Sequence, residues 1–89
     1  MDSLLTDDMS RCYFCGKPKM MDHAIYNSLK EHEKYSFADG MTIPLCWDCN
    51  VKLHLDKRIS YKLHIEGQLA WEHAHPTQAF EKRYGRNFL

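Results

Sequence analysis

The chain carries no net charge and no long apolar run. Twelve basic residues balance twelve acidic ones, a formal charge of zero. That excludes a globally basic nucleic-acid-coating protein, because phosphate binding leaves a basic surplus. No stretch approaches the roughly 20 consecutive apolar residues of a membrane span. The opening Met1-Asp2-Ser3-Leu4-Leu5-Thr6-Asp7-Asp8 lacks the basic segment and apolar core of a secretory signal. With no export route in view, the thiols are expected to stay reduced in a cytoplasm. Internal repeats and low-complexity segments are missing too, and 89 residues leave little interior. One domain over residues 11–89 is expected, behind a flexible acidic tail over residues 1–10.

Cysteine is also scarce, and its placement is informative. The four cysteines form two matched pairs, Cys12-Tyr13-Phe14-Cys15 and Cys46-Trp47-Asp48-Cys49, with 30 residues between them. Two intervening residues let both thiolates of a pair turn toward one point from a tight loop, and a second pair completes the tetrahedral sulfur shell that Zn²⁺ prefers. Two disulfides or four buried thiols are the alternatives, and a reducing compartment argues against the first. A closed Cys₄ site is structural, a common remedy for a thin core. Chemistry must therefore be sought elsewhere, and the second pair runs directly into Asn50 and His54.

Charge is unevenly spread despite its zero sum. Residues 50–62 carry Lys52, Lys57, Arg58 and Lys62 against Asp56, and the C-terminal stretch adds Lys82, Arg83 and Arg86 against Glu81. A local basic face is expected there, with Lys52, Lys57, Arg58 and Lys62 as the candidate nucleic-acid contacts.

The pattern of elements is α+β. Residues 20–26 suit a short strand, and residues 27–35 a loop or helical turn. Asp39-Gly40 signals a turn, and residues 41–45 a second strand with Pro44 at its edge or end. A helix is expected to begin near residues 46–48, with Asp48 as its cap or first-turn acid. Leu63, Gly67, Ala70, Trp71 and Ala74 recur at spacings of three and four, which predicts a helix over residues 60–75. Pro76 ends it. Thr77 can cap a last short helix carrying Phe80 and Tyr84, with Gly85 as its stop. Trp47 and Trp71 are both expected in the core. His32, His64, His73 and His75 have no matched partner at ligand spacing and read as ordinary residues.

Asp22-His23 ends the first strand, while Asn50 and His54 stand four apart and project from one face of a helix. One carboxylate, one amide oxygen and one imidazole make a mixed site suited to Mg²⁺ or Mn²⁺, with Ni²⁺ or Zn²⁺ as alternatives. Three ligands leave positions open for water and a phosphate oxygen. His23 is then free to act as general base.

In this order, CxxC, Asp-His, Leu-Cys-x-x-Cys-Asn and a histidine four residues on, the chain resembles the HNH or ββα-metal nucleases. More narrowly it is similar to the small zinc-stapled HNH proteins of bacteriophages. The stretches that carry the likeness are Asp22-His23-Ala24-Ile25-Tyr26, Gly40-Met41-Thr42-Ile43-Pro44-Leu45-Cys46, Gly67-Gln68-Leu69-Ala70-Trp71-Glu72 and Arg83-Tyr84-Gly85-Arg86-Asn87-Phe88-Leu89. The resemblance implies a ββα-metal motif with a Cys₄ zinc site followed by C-terminal helices, acting as a DNA endonuclease in a bacterial host cell. Carried over by position, it implies Asp22, Asn50 and His54 on the catalytic divalent ion, His23 deprotonating water, and Cys12, Cys15, Cys46 and Cys49 on structural zinc. This chain has Asn50 where a helix histidine is common. Met41 falls near the place of the family's middle asparagine, which steadies the loop holding the base. If the family's paired histidines align with His23-Ala24 instead, the base is missing. A second class of function therefore stays open, a degenerate scaffold that binds a protein or nucleic acid without cutting. A plain zinc interaction module is the third.

Overall fold

The computed structural model describes residues 3–89. The chain runs β1 (Met21–Ala24), α1 (Lys30–Ala38), β2 (Thr42–Leu45), α2 (Trp47–Leu55), α3 (Lys57–Ala74) and α4 (Phe80–Tyr84). β1 and β2 pair antiparallel with Met21 opposite Leu45, Asp22 opposite Pro44, His23 opposite Ile43 and Ala24 opposite Thr42. The expected α+β class is what is observed, a two-stranded sheet with helices. The segment that could have been a loop is the two-and-a-half-turn helix α1, set between the strands.

Local chemistry explains where these elements stop. Gly40, at φ 74°, takes the left-handed conformation that a residue with a Cβ disfavours. The chain can therefore reverse out of α1 straight into β2. Met41, Ile43 and Leu45 are fully buried along the β2 segment. The Cys46 sulfur caps α2 by accepting the Cys49 N–H, so Asp48 is a first-turn acid and not the cap. α3 begins three residues before the expected start, because Asp56 accepts the Arg58 N–H and nucleates its first turn. Thr77 caps nothing; Ala79 holds the N-cap position of α4 without a side-chain bond, and Gly85 follows its last residue.

The core lies between the hairpin and the long α3. Trp71, Leu63, Phe80, Tyr84, Ile25 and Tyr26 meet there, with Phe88 returning from the C-terminal segment. Gly67 is required by this packing, since a Cβ built on it would stand 2.6 Å from the Tyr26 hydroxyl oxygen. Gln68 is buried yet fully employed. Its carbonyl oxygen accepts the Phe88 N–H at 2.7 Å, and its amide donates to Asn87 and Glu72. Of the two tryptophans only Trp71 is core, 1% exposed, whereas Trp47 is 63% exposed. The cause is helix phase. Cys49 and Leu53 are the buried residues of α2, and position 47 falls on the side opposite them at 100° per residue. Of the expected tail, residues 1–2 lie outside the described residues; Ser3 Oγ donates to the Thr42 carbonyl and Leu4 N–H to the Gly40 carbonyl.

Candidate metal centre

The four cysteines gather where β2 hands over to α2. The first pair sits in a tight turn, with the Gly16 N–H donating to the Cys12 carbonyl at 2.9 Å and the Cys12 N–H to the Lys17 carbonyl at 2.6 Å. The Tyr13 N–H donates to the Pro44 carbonyl at 2.8 Å, which lays this turn against the end of β2, two residues before Cys46. All four Sγ atoms lie within 4.8 Å of one another, and those of Cys15 and Cys46 are 3.6 Å apart. A tetrahedral ion with metal–sulfur bonds of about 2.3 Å sets its ligands about 3.8 Å apart. The donor set and spacing fit a structural metal such as zinc.

The thiols differ before any metal is considered. Burial acts to raise the Cys12 thiol, but backbone N–H groups of Cys46, Cys15 and Phe14 outweigh it and hold the thiol down at about 6. Burial and the neighbouring sulfurs of Cys46, Cys12 and Cys15 push Cys49 up to about 12. Four sulfurs this close resist joint ionisation, and a dication among them removes that repulsion.

Next to this cluster, α2 meets β1. Side chains alternate along a strand, so His23 shares a face with Met21, and Asp22 with Ala24. His23 meets His54 edge to face, with ring centroids 6.0 Å apart. Burial first, then the nearby imidazoles of His54 and His64, hold His23 down to about 4. It is therefore neutral at pH 7, with a ring nitrogen free to accept a proton or a cation. Asn50 is half-buried one turn before His54, which is exposed. Asp22 is engaged elsewhere, with Oδ1 3.1 Å from the Lys19 ammonium. That contact has an ion pair's distance but not a hydrogen bond's angles, and the shielded Oδ1 accepts no hydrogen bond. Among the described residues, only the cysteines bring three or more His, Cys, Asp or Glu ligand atoms that close together.

Ser36 is a buried anchor beside the candidate site that the sequence did not reveal. Fully buried, its hydroxyl accepts the Tyr26 N–H and donates to the Tyr26 carbonyl, both at 3.0 Å. It thus fastens the chain three residues past His23. Met41, near the expected place of a steadying asparagine, is buried in the apolar core. A single serine in a polar helix gives no sequence signal of this role. His64 holds the same stretch from the other side, with Nε2 3.1 Å from the Ile25 carbonyl, and His75 stacks on Trp71.

The basic candidates are all exposed. Lys52 and Lys62 line an open cleft of about 570 Å³, together with Tyr13, Phe14 and Glu66. Lys57, Arg58 and Lys62 surround Tyr61 and Ile65 on a neighbouring patch. No helix among the described residues is long and apolar enough to cross a membrane. Compared with known proteins, the chain matches no family model, no curated protein and no solved structure.

Proposed function

We propose that this chain is a metal-dependent DNA endonuclease of the HNH type, of the kind bacteriophages carry, built round a structural zinc ion. The observation that supports it best is the His23 ring against His54 at 6.0 Å, on a hairpin and helix stapled beside a four-cysteine cluster. Zinc on Cys12, Cys15, Cys46 and Cys49 would hold the strand and the helix in register. Asn50 and His54 would hold a divalent ion, Mg²⁺, Mn²⁺ or Ni²⁺, from α2. When bound, that ion supplies charge stabilisation to the scissile phosphate and the departing oxygen. His23, neutral and screened from solvent, takes the proton from the attacking water. Asp22 would have to leave Lys19 and turn round the strand to complete that ligand set. Lys52, Lys57, Arg58 and Lys62 grip the phosphates.

One observation favours a second reading. His23, not Asp22, faces His54. If His23 is the strand ligand, the residue after it is Ala24 and no base remains. The chain would then be a scaffold that binds DNA or a protein without cutting.

Supercoiled plasmid and a single-stranded circle, each incubated with zinc-loaded protein and Mg²⁺, Mn²⁺ or Ni²⁺, separate the two. Cleavage of either that is lost in His54→Ala supports the enzyme; both left intact under every ion reject it. Calorimetric titration of a second divalent ion then assigns the strand residue. His23→Ala that keeps the ion but slows cleavage by roughly two to four orders of magnitude marks a base. His23→Ala that loses the ion marks a ligand.

A further inference from the structure

Helix α2 leaves an apolar stripe uncovered. Trp47, Val51 and Leu55 stand four residues apart and are 63%, 39% and 80% exposed. At 100° per residue they form one continuous face, and Asn50 and His54 lie along its edge. On the opposite edge Asp48 comes first and Lys52 lies beyond it, lining with Lys62, Phe14 and Tyr13 a neighbouring cleft that none of the three stripe residues enters. We infer that this surface seats unpaired nucleotides, so that the substrate is single-stranded DNA or a duplex bearing unpaired bases, with a base on Trp47 and its phosphates toward Lys52 and Lys62. The inference rests on the endonuclease reading, and it narrows the substrate.

Charge and shape both point to this occupant. Asp48 is within 3.6 Å of Lys17, and Asp56 holds Arg58. Among the described residues, Lys52, Lys57 and Lys62 have no acidic partner within ion-pair distance. The unpaired cations Lys52 and Lys62 thus lie in the cleft beside the stripe, with Glu66 as its acidic member. So few cations are a poor match for duplex DNA, whose recognition leans on many phosphate contacts. An exposed indole beside aliphatic side chains gains from base faces instead, and those faces are hidden in a duplex and open in a single strand. A second copy fits less well. The stripe offers three side chains, where a stable interface draws on roughly 20–30 residues a side.

The two tryptophans give the test a direct readout, because Trp47 is exposed and Trp71 is buried. Zinc-loaded full-length protein is titrated with a 12-nucleotide single strand and with the matching blunt duplex, with no second metal added. The single strand is expected to quench Trp47 emission and to bind about tenfold more tightly than the duplex, with Trp47→Ala abolishing the quench and removing most of that preference. Leu55→Ala should weaken single-strand binding without removing the quench. Both positions are exposed, so unchanged melting curves should show that the variants fold. Equal affinity for both forms without a quench, or full single-strand affinity in Trp47→Ala, overturns the inference. So does a concentration-dependent dimer that disappears in Trp47→Ala, which would put a second copy on the stripe. Plasmid cleavage with no single-strand preference sinks the inference and spares the nuclease reading. Trp47-dependent single-strand binding without cleavage under any divalent ion does the reverse.

Discussion

Replacing Asp39 with alanine is expected to cost about 3–5 kcal/mol of folding stability, through buried donors left without an acceptor. Asp39 lies in the turn between α1 and β2, yet it collects four donors from the C-terminal third of the chain. These are Trp71 Nε1 at 2.9 Å, Arg83 Nε at 3.0 Å, Arg83 Nη2 at 2.8 Å and the Tyr84 hydroxyl at 2.8 Å. Trp71 and Tyr84 are 1% and 2% exposed, so neither donor can turn to water, and each orphaned group costs about 1–3 kcal/mol. Arg83 is partly exposed and rehydrates, which limits its share to about 1 kcal/mol or less. Asp39→Asn keeps one acceptor oxygen and should lie between wild type and alanine. Urea unfolding of metal-saturated protein at pH 7.5, followed by near-ultraviolet circular dichroism, reads these differences directly. An alanine variant within 1 kcal/mol of wild type would refute the reasoning, since it would mean that water or a repacked neighbour replaces the carboxylate. The acid limb gives an independent check. Burial raises the Asp39 carboxyl, but Arg83, Tyr84 and Trp71 outweigh it and hold it below the usual range. A carboxyl lower in the folded than in the unfolded chain contributes stability above its unfolded value of about 3.9, lost as pH falls through the folded one. Asp39→Asn should lack that component.

Stripping the metal from the cysteine cluster with a chelator should collapse tertiary structure, because binding energy at such a site is largely folding energy. Elemental analysis finding no metal in protein purified without chelator would defeat that expectation. Gly67→Ala should destabilise by about 1–3 kcal/mol through overpacking against Tyr26, and Gly67→Ala combined with Tyr26→Phe should lose less than the two changes summed. Additive losses in thermal melts would show that the close approach is not the cause. His23 should stay neutral as pH falls from 7.5 to 5.5, its folded value of about 4 lying below the unfolded 6.5 or so. Its contribution is therefore present above about 6.5 and is lost on the way down to the folded value. An NMR titration of the His23 ring with a midpoint above 6 would contradict this.

How much of the site could be read in advance follows from how local each feature is. The two CxxC pairs are short-range devices, and their spacing alone announced a four-sulfur cluster. The apolar period of α3, the Asp39-Gly40 turn and the Gly85 stop are local in the same way, written in backbone conformation and helical repeat. Asp39, Ser36 and Gln68 carried no such mark. Apart from Glu72 beside Gln68, their partners lie 10 to 45 residues away, and a polar side chain does not show from sequence whether it will meet water or a buried donor. The fates of Trp47 and Trp71 were also undecided, because composition makes them equal. Only the docking of α2 through Cys49 and Leu53 turned one outward. Asp22 and His23 are neighbours in sequence, but the pleat sends them to opposite faces, and where α2 packs selected His23 to meet His54. The sequence by itself determined the sulfur cluster, the α+β class and the helix that carries Asn50 and His54. Tertiary structure decided which groups share a point in space, because long-range packing sets the phase of each helix and the face of each strand.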